Sequence, residues 1–155
     1  MVAIRPYSET DFDMLAARWH ETNLASYWYV DEHQRHTLEE ARKFFATHVL
    51  RDCEVFVAER NGALLGLIAV SPGCVRQLAV FPEYQRQGIG SRLIEKAREL
   101  SPSGLRLHTF QLNAPARAFY EKHGFRAVAF GMARAPENCP DVEYCWSAVA
   151  DSPQD

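Results

Sequence analysis

The sequence predicts an α/β protein with one mixed sheet of about six to seven strands and helices on both faces. Three observations carry this. Strand-like runs at 53–60, 63–70 and 75–80 follow one another through tight turns, as in an antiparallel meander. The last run feeds a helix in which Ile89, Leu93, Ile94, Ala97 and Leu100 recur at helical spacing. Beyond it the chain alternates strand, helix and strand, the pattern of βαβ-type connections.

A chain of 155 residues is expected to form one domain, here over residues 1–150, with a frayed tail at 151–155. Val2–Arg5 reads as a short strand ended by Pro6. Ser8-Glu9-Thr10-Asp11 has the form of a capping box with Asp in the last place, and Phe12, Leu15, Ala16 and Trp19 then mark an amphipathic helix. Residues 23–36 show neither period and are rich in aromatic side chains, with Asp31, Glu32, His33 and His36 among them. Thr37-Leu38-Glu39-Glu40 is a full capping box and opens a second helix expected to end near Leu50.

Asn61-Gly62 between the first two meander strands suits a type I′ hairpin, which requires positive φ at both central residues. After the amphipathic helix, Leu105–Phe110 reads as a strand. A short helix follows over Ala114–His123, with Pro115 in its first turn and Gly124 as its stop. Phe125–Phe130 and Val142–Val149 complete the expected strands, around a Pro-containing loop at 133–141. The crossover from 75–80 to 105–110 should be right-handed and parallel, with a ligand at the carboxyl end of its first strand.

That point is where the chemistry concentrates. The stretch from Leu78 to Leu100 runs strand, polar turn, then Gly88 and Gly90 at a helix start. Unpaired amides and the positive end of the helix dipole favour an anion there, and glycines remove side chains that would hold a phosphate away. Arg86 adds a charged donor. Leu93 stands where a dinucleotide fingerprint needs its third glycine, and no Gly-Lys-Ser/Thr follows, so neither nucleotide motif is met.

What remains, Gln85-x-x-Gly88-x-Gly90 after a strand, resembles the coenzyme A-binding motif of the GNAT superfamily of N-acetyltransferases. Asn113 to Phe125 is similar to that superfamily's next motif, N-x-x-A-x-x-F/L-Y-x-x-x-G-F, and Pro140 to Trp146 to a P-D-V-x-Y-x-W ending. The resemblance implies the GNAT fold, acetyl-CoA as co-substrate and a primary amine of a small molecule or protein N-terminus as acceptor. It implies that the backbone of Leu78, Ala79 and Val80 pairs with the pantetheine arm. Arg86, Gln87, Gly88, Ile89, Gly90 and Ser91 would hold the pyrophosphate, and Asn113 and Arg117 would touch the coenzyme from the second helix. Tyr120 would protonate the departing thiolate.

A base must also deprotonate the amine. The strand Val75–Leu78 carries no carboxylate, and His108 stands where some members of the superfamily place a Glu, five residues before the motif asparagine. Strand alternation puts Arg106, His108 and Phe110 on one face, which turns His108 toward the gap between diverging strands. Glu137 and Asp141, expected on the loop before the last strand, compete for the role, as does a water chain. Tyr27, Trp28, Tyr29, Asp31 and Glu32 would frame the acceptor, with Gln77, Glu137 and Asp141 nearby.

Two alternatives stand beside the enzyme: a non-catalytic acyl-CoA sensor of the same fold, and a nucleotide-binding α/β protein. Net charge is −3 with scattered basic residues, so no nucleic-acid partner is expected. No leader or apolar run long enough to span a bilayer is visible, and the four cysteines show no metal spacing. The chain is therefore expected in the cytoplasm, without membrane or metal, its thiols free and a homodimer allowed.

Overall fold

The structure, a computed structural model, describes residues 1–133 and 137–148 and leaves the Glu32 side chain outside the description. The expected tail at 151–155 and part of the loop at 133–141 lie outside the described residues.

The first strand, β1, spans Ala3–Pro6, one residue later than expected. It pairs antiparallel with β2 (Glu54–Arg60), and Tyr7 N–H continues the ladder to the Val55 carbonyl at 2.9 Å. Proline is tolerated there because β1 is an edge strand. The capping box forms: the Asp11 carboxylate accepts from Ser8 N–H at 2.9 Å and is clamped by Arg5 Nη1 and Nη2, both at 2.9 Å. It heads a 3-10 turn, Glu9–Asp11, that runs into helix α1, Phe12–Ser26.

The stretch without a clear period is helical. Helix α1 continues to Ser26, and a short helix, α2, follows at Asp31–Arg35. Gln34 Nε2 donates to the carbonyls of Leu24, at 3.0 Å, and Tyr27, at 3.1 Å. These carbonyls belong to the end of α1, so a side chain from α2 satisfies groups that a helix C-terminus leaves open. Neither helix needed a local periodic signal for that. The Thr37–Glu40 box forms as expected and opens α3, Leu38–Phe44. The helical path then widens into a π turn, Phe45–Val49, and ends as α4, Leu50–Asp52.

Strands β2, β3 (Ala63–Ser71) and β4 (Cys74–Val80) form the antiparallel meander, with Asn61 at φ 53° and Gly62 at φ 82° in its first turn. Helix α5, Ile89–Leu100, crosses to β5, Leu105–Phe110, which lies parallel to β4. Helix α6 covers Ala114–Lys122. Strand β6 spans Arg126–Met132 and β7 Pro140–Trp146, both displaced from expectation. Pairing decides β7: Asp141 opposes Phe110 and Trp146 opposes Leu105, so Pro140 and Asp141 belong to a strand and not to the loop. The sheet has seven strands in the order β1-β2-β3-β4-β5-β7-β6.

Two cores sit on opposite faces of this sheet. Ile89, Leu93, Ile94 and Ala97 of α5 pack with Leu105, Leu107, Val142 and Tyr144. Leu15, Ala16 and Trp19 of α1 pack with Phe45, Leu67, Ala79 and Phe81. Each fully buried aliphatic side chain contributes about 1.5–3 kcal/mol, so the α5 stripe alone anchors the start of that helix firmly. The consequence for function lies between β4 and β5. Their register holds at one pair, Cys74 and Arg106, and the strands part beyond it. The later residues of β4 keep β3 on one side and no strand on the other.

Candidate active site

The cradle begins where β4 ends. Phe81 is fully buried and anchors a 3-10 turn, Pro82–Tyr84. Gln85 Nε2 then reaches back to the Val80 carbonyl at 2.9 Å, folding the turn over the strand end. Arg86 at φ 67° and Gly88 at φ 82° are both left-handed and flank Gln87, a conformation that turns successive amides to one side. The first helical bond of α5 runs from Arg92 N–H to the Gly88 carbonyl at 3.2 Å, so the amides of Ile89, Gly90 and Ser91 precede it and remain available to an anion. Arg86, Gln87 and Gly88 are exposed, whereas the Ile89 side chain is buried in the core, leaving only its backbone for a ligand. These residues fit the diphosphate of coenzyme A.

The two glycines have different reasons from the shared one expected. A Cβ on Gly88 would meet no atom within 4 Å, so that residue is glycine for its left-handed backbone. A Cβ on Gly90 would lie 3.1 Å and 3.2 Å from the Phe119 ring, so its absence lets α6 dock on α5. Ser91 Oγ lies 2.7 Å from His123 Nε2 at the end of α6, a partner that the motif spacing did not reveal.

On α6, Asn113 caps the helix by accepting from Ala116 N–H at 3.2 Å. Arg117 Nε donates to the Tyr144 hydroxyl at 3.0 Å, and its guanidinium lies 5.6 Å from the centroid of the Phe130 ring. Both side chains expected on the coenzyme thus have structural partners within the fold. Tyr120 is buried, with Phe119 at 5.4 Å and Phe125 at 5.6 Å between ring centroids. Its hydroxyl has no hydrogen bond among the described residues. Burial first, and the nearby Tyr27 second, push its pKa well above the usual tyrosine value, so the phenol keeps its proton.

The other face of the opening is aromatic. Tyr27, at the end of α1, meets Phe110 of β5 edge-on at 5.3 Å and His33 of α2 at 4.9 Å. Tyr29 meets Phe110 at 6.0 Å, and its hydroxyl is buried without a hydrogen-bond partner among the described residues. Trp28 turns outward and is 73% exposed. Asp31 is exposed on α2, the helix that also carries Glu32. Gln77 accepts from Trp19 Nε1 at 3.2 Å, which ties it to α1. Glu137 lies 4.0 Å from His33 Nε2, and Asp141 stands opposite Phe110 in β7.

His108 is exposed, on the sheet face opposite buried Leu105 and Leu107, and is paired in register with Glu143. Tyr27 and Tyr29, expected on the acceptor side, pack on Phe110 at the end of β5, and Tyr120, expected on the coenzyme side, packs in the α5 core with Phe125. Phe110, His33 and Trp19 were not expected at the site: Trp19 was read as a position of the amphipathic helix, His33 as part of the stretch without a period, and Phe110 as the strand neighbour of His108 on the same face.

A diverging parallel pair of strands, a glycine turn at a helix start and a buried phenol beside them define an acyltransferase architecture, and the comparisons with known proteins agree. Residues 51–127 match the acetyltransferase (GNAT) domain family. The peptidyl-lysine N-acetyltransferase YiaC of Escherichia coli K12 is 34% identical over 80 residues, covering 51% of this chain and 54% of that protein, so the match spans about half of it. The peptidyl-lysine N-acetyltransferase YjaB of Salmonella typhimurium LT2 is 28% identical over 129 residues, covering 83% and 86%.

Among solved structures, apo YjaB from Escherichia coli superposes with a TM-score of 0.79 at 20% identity, covering 94% of this chain and 97% of that one. The PaiA N-acetyltransferase of Thermoplasma acidophilum, solved with coenzyme A, gives 0.71 at 18% identity, covering 95% and 99%. The chain belongs to the GNAT acetyltransferase family.

Proposed function

We propose that the chain is an N-acetyltransferase that moves an acetyl group from acetyl-CoA to a primary amine, acting as a single domain over residues 1–150. The observation that carries this is the opening between β4 and β5, with the cradle at its mouth and the Tyr120 hydroxyl without a hydrogen bond among the described residues. Lysine side chains of proteins or peptides are the favoured acceptors. The names of the relatives support that class, and so does Trp28, whose exposed ring beside the aromatic cluster suits a macromolecular acceptor more than a buried small one. A cytoplasmic location suits the supply of acetyl-CoA and the four unpaired cysteines.

In this reaction the backbone of Leu78, Ala79 and Val80, which has no strand beyond it, pairs with the pantetheine arm. Amides from Gln87 to Ser91 hold the diphosphate. A base takes a proton from the ammonium, the amine nitrogen bonds the acetyl carbon, and the carbon–sulfur bond breaks. An amide of β4 stabilises the oxyanion formed on the way. The thiolate then takes the Tyr120 proton, and the acylated nitrogen gives up its remaining extra proton, which restores the phenol. His108 is the base assigned here, with Glu137 and Asp141 as competitors.

The test is calorimetry with acetyl-CoA, coenzyme A and ATP, followed by thiol release over a panel of lysine peptides and small amines. Binding of the first two, with turnover on a lysine peptide, is expected. Binding without thiol release on any amine would favour the sensor of the same fold, and ATP binding alone would overturn the cradle assignment.

A further inference from the structure

We propose that His123 is a proton-linked positioning residue for the phosphate cradle: its protonation converts Ser91 into a phosphate donor, so that coenzyme A binding takes up a proton. This rests on the coenzyme A reading above.

The hydrogen-bond directions follow from what each partner can do. His123 Nδ1 lies 2.7 Å from the Phe119 carbonyl oxygen, which can only accept. Nδ1 therefore carries the hydrogen, and in the neutral ring Nε2 is an acceptor. Ser91 Oγ, 2.7 Å from Nε2, must then be the donor, and its proton points at α6. A phosphate at the start of α5 would find only the lone pairs of that hydroxyl, which repel an anion.

Protonation reverses the pair. Nε2–H donates to Ser91 Oγ, and the hydroxyl proton is released to turn toward the phosphate. The imidazolium also brings a positive charge beside the cradle. Because ring and hydroxyl share one short bond, the proton and the phosphate favour each other, and each strengthens binding of the other by the same factor.

The surroundings hold this geometry in place. The Phe119 ring lies 4.2 Å from the His123 ring, and the same Phe119 packs on Gly90. Of the charged groups near His123, Arg98 of α5 donates from Nη2 to its carbonyl and from Nη1 to Glu95 at 2.8 Å. On α6 the neighbours are exposed Lys122 and Glu121, the latter accepting from Tyr144 at 2.7 Å. Glu95 offsets Arg98, and among the described residues the ring of His123 meets Ser91 and Phe119.

The experiment is calorimetric titration of coenzyme A into the wild type, His123→Gln and Ser91→Ala from pH 5.5 to 8, each in two buffers of different ionisation enthalpy. The titration of free coenzyme A is common to all three proteins and cancels in their differences. Wild-type affinity is expected to rise about three- to tenfold more than that of His123→Gln as pH falls from 8 to 5.5, with net proton uptake. Both variants should lose most of that excess.

Equal slopes in wild type and His123→Gln, with coenzyme A bound by both, overturn the proton link and leave the cradle standing. No binding by the wild type at any pH overturns the cradle, and the link with it. If His123→Gln fails to fold, the absence of proton uptake in the wild type alone is sufficient to overturn the link.

Discussion

Tyr27 stands edge-on to Phe110, with ring centroids 5.3 Å apart and planes at 86°. One ring ends the first helix and the other ends the strand that leaves β4, so this contact ties the end of α1 to the end of β5, on the side proposed for the acceptor. An edge-to-face pair contributes about 0.5–1.5 kcal/mol beyond area burial. Phe110→Ala should therefore loosen the aromatic cluster and raise the acceptor KM about tenfold, with coenzyme A affinity within about twofold of wild type. Parallel titration of both substrates reads the split, and a loss confined to the coenzyme would refute it.

Tyr120→Phe should lower kcat by about 10²-fold, the scale of a positioned acid, while KM for acetyl-CoA stays near its wild-type value. Its hydroxyl has no protein hydrogen bond among the described residues, so thermal stability should scarcely change. Single-turnover kinetics keep the chemical step in view. An unaltered rate there would leave Tyr120 as a core aromatic packed on Phe125.

The cradle glycines should respond differently. Gly88→Ala forces a side chain into a left-handed backbone at a cost of about 1 kcal/mol and should weaken coenzyme A binding by reorienting the amides. Gly90→Val pushes on Phe119 and should cost about 1–3 kcal/mol of stability as well as binding. Thermal shift with and without coenzyme A separates the two effects. Undiminished ligand stabilisation in both variants would contradict the assignment.

His108→Gln should lower kcat/KM by about 10²-fold, the scale of a positioned base, and His108→Glu should restore part of it. The three proteins must be compared on one good acceptor. An unchanged rate in His108→Gln would move the role to Glu137 or Asp141.

Asp11 provides a stability prediction. Its hydrogen bonds with Arg5 hold the carboxyl below its usual pKa, although its burial opposes this. A lowered folded-state value means that the unfolded chain binds the proton more readily. The stabilisation is thus fully present above the ordinary carboxylate pKa of about 3.9 and is lost as pH falls through the folded value. Asp11→Asn should be less stable by about 1–3 kcal/mol near neutral pH, and the gap should shrink below about pH 4. Chemical denaturation at both values measures it, and a constant gap would rule the linkage out.

The fold was legible where the signal is local. Thr37–Glu40, Asn61-Gly62 and the apolar stripe of α5 each specify a cap, a turn or a buried face through neighbours within a few residues. The segment 23–36 was not legible, because its helices are completed by Gln34 bonding the end of α1. Such a bond exists only once the chain has turned back.

The sequence by itself determined that a strand, a glycine turn and a helix would meet, since the glycines and the spacing of Ile89, Leu93 and Ile94 are properties of adjacent residues. It also determined that Leu105 and Leu107 would turn to the core and His108 to the other face. That Gly88 is left-handed and that Gly90 makes room for Phe119 came from the fold. Tertiary structure alone decided which side chains share the site. Tyr27 packs on Phe110, Gln77 is held by Trp19, Arg117 turns to Tyr144, and Ser91 finds His123. These partners lie far apart in the chain and meet because two cores press helices onto opposite faces of one sheet. A side chain's donor, acceptor and pKa are set by what packing brings beside it, and residue spacing carries no record of that.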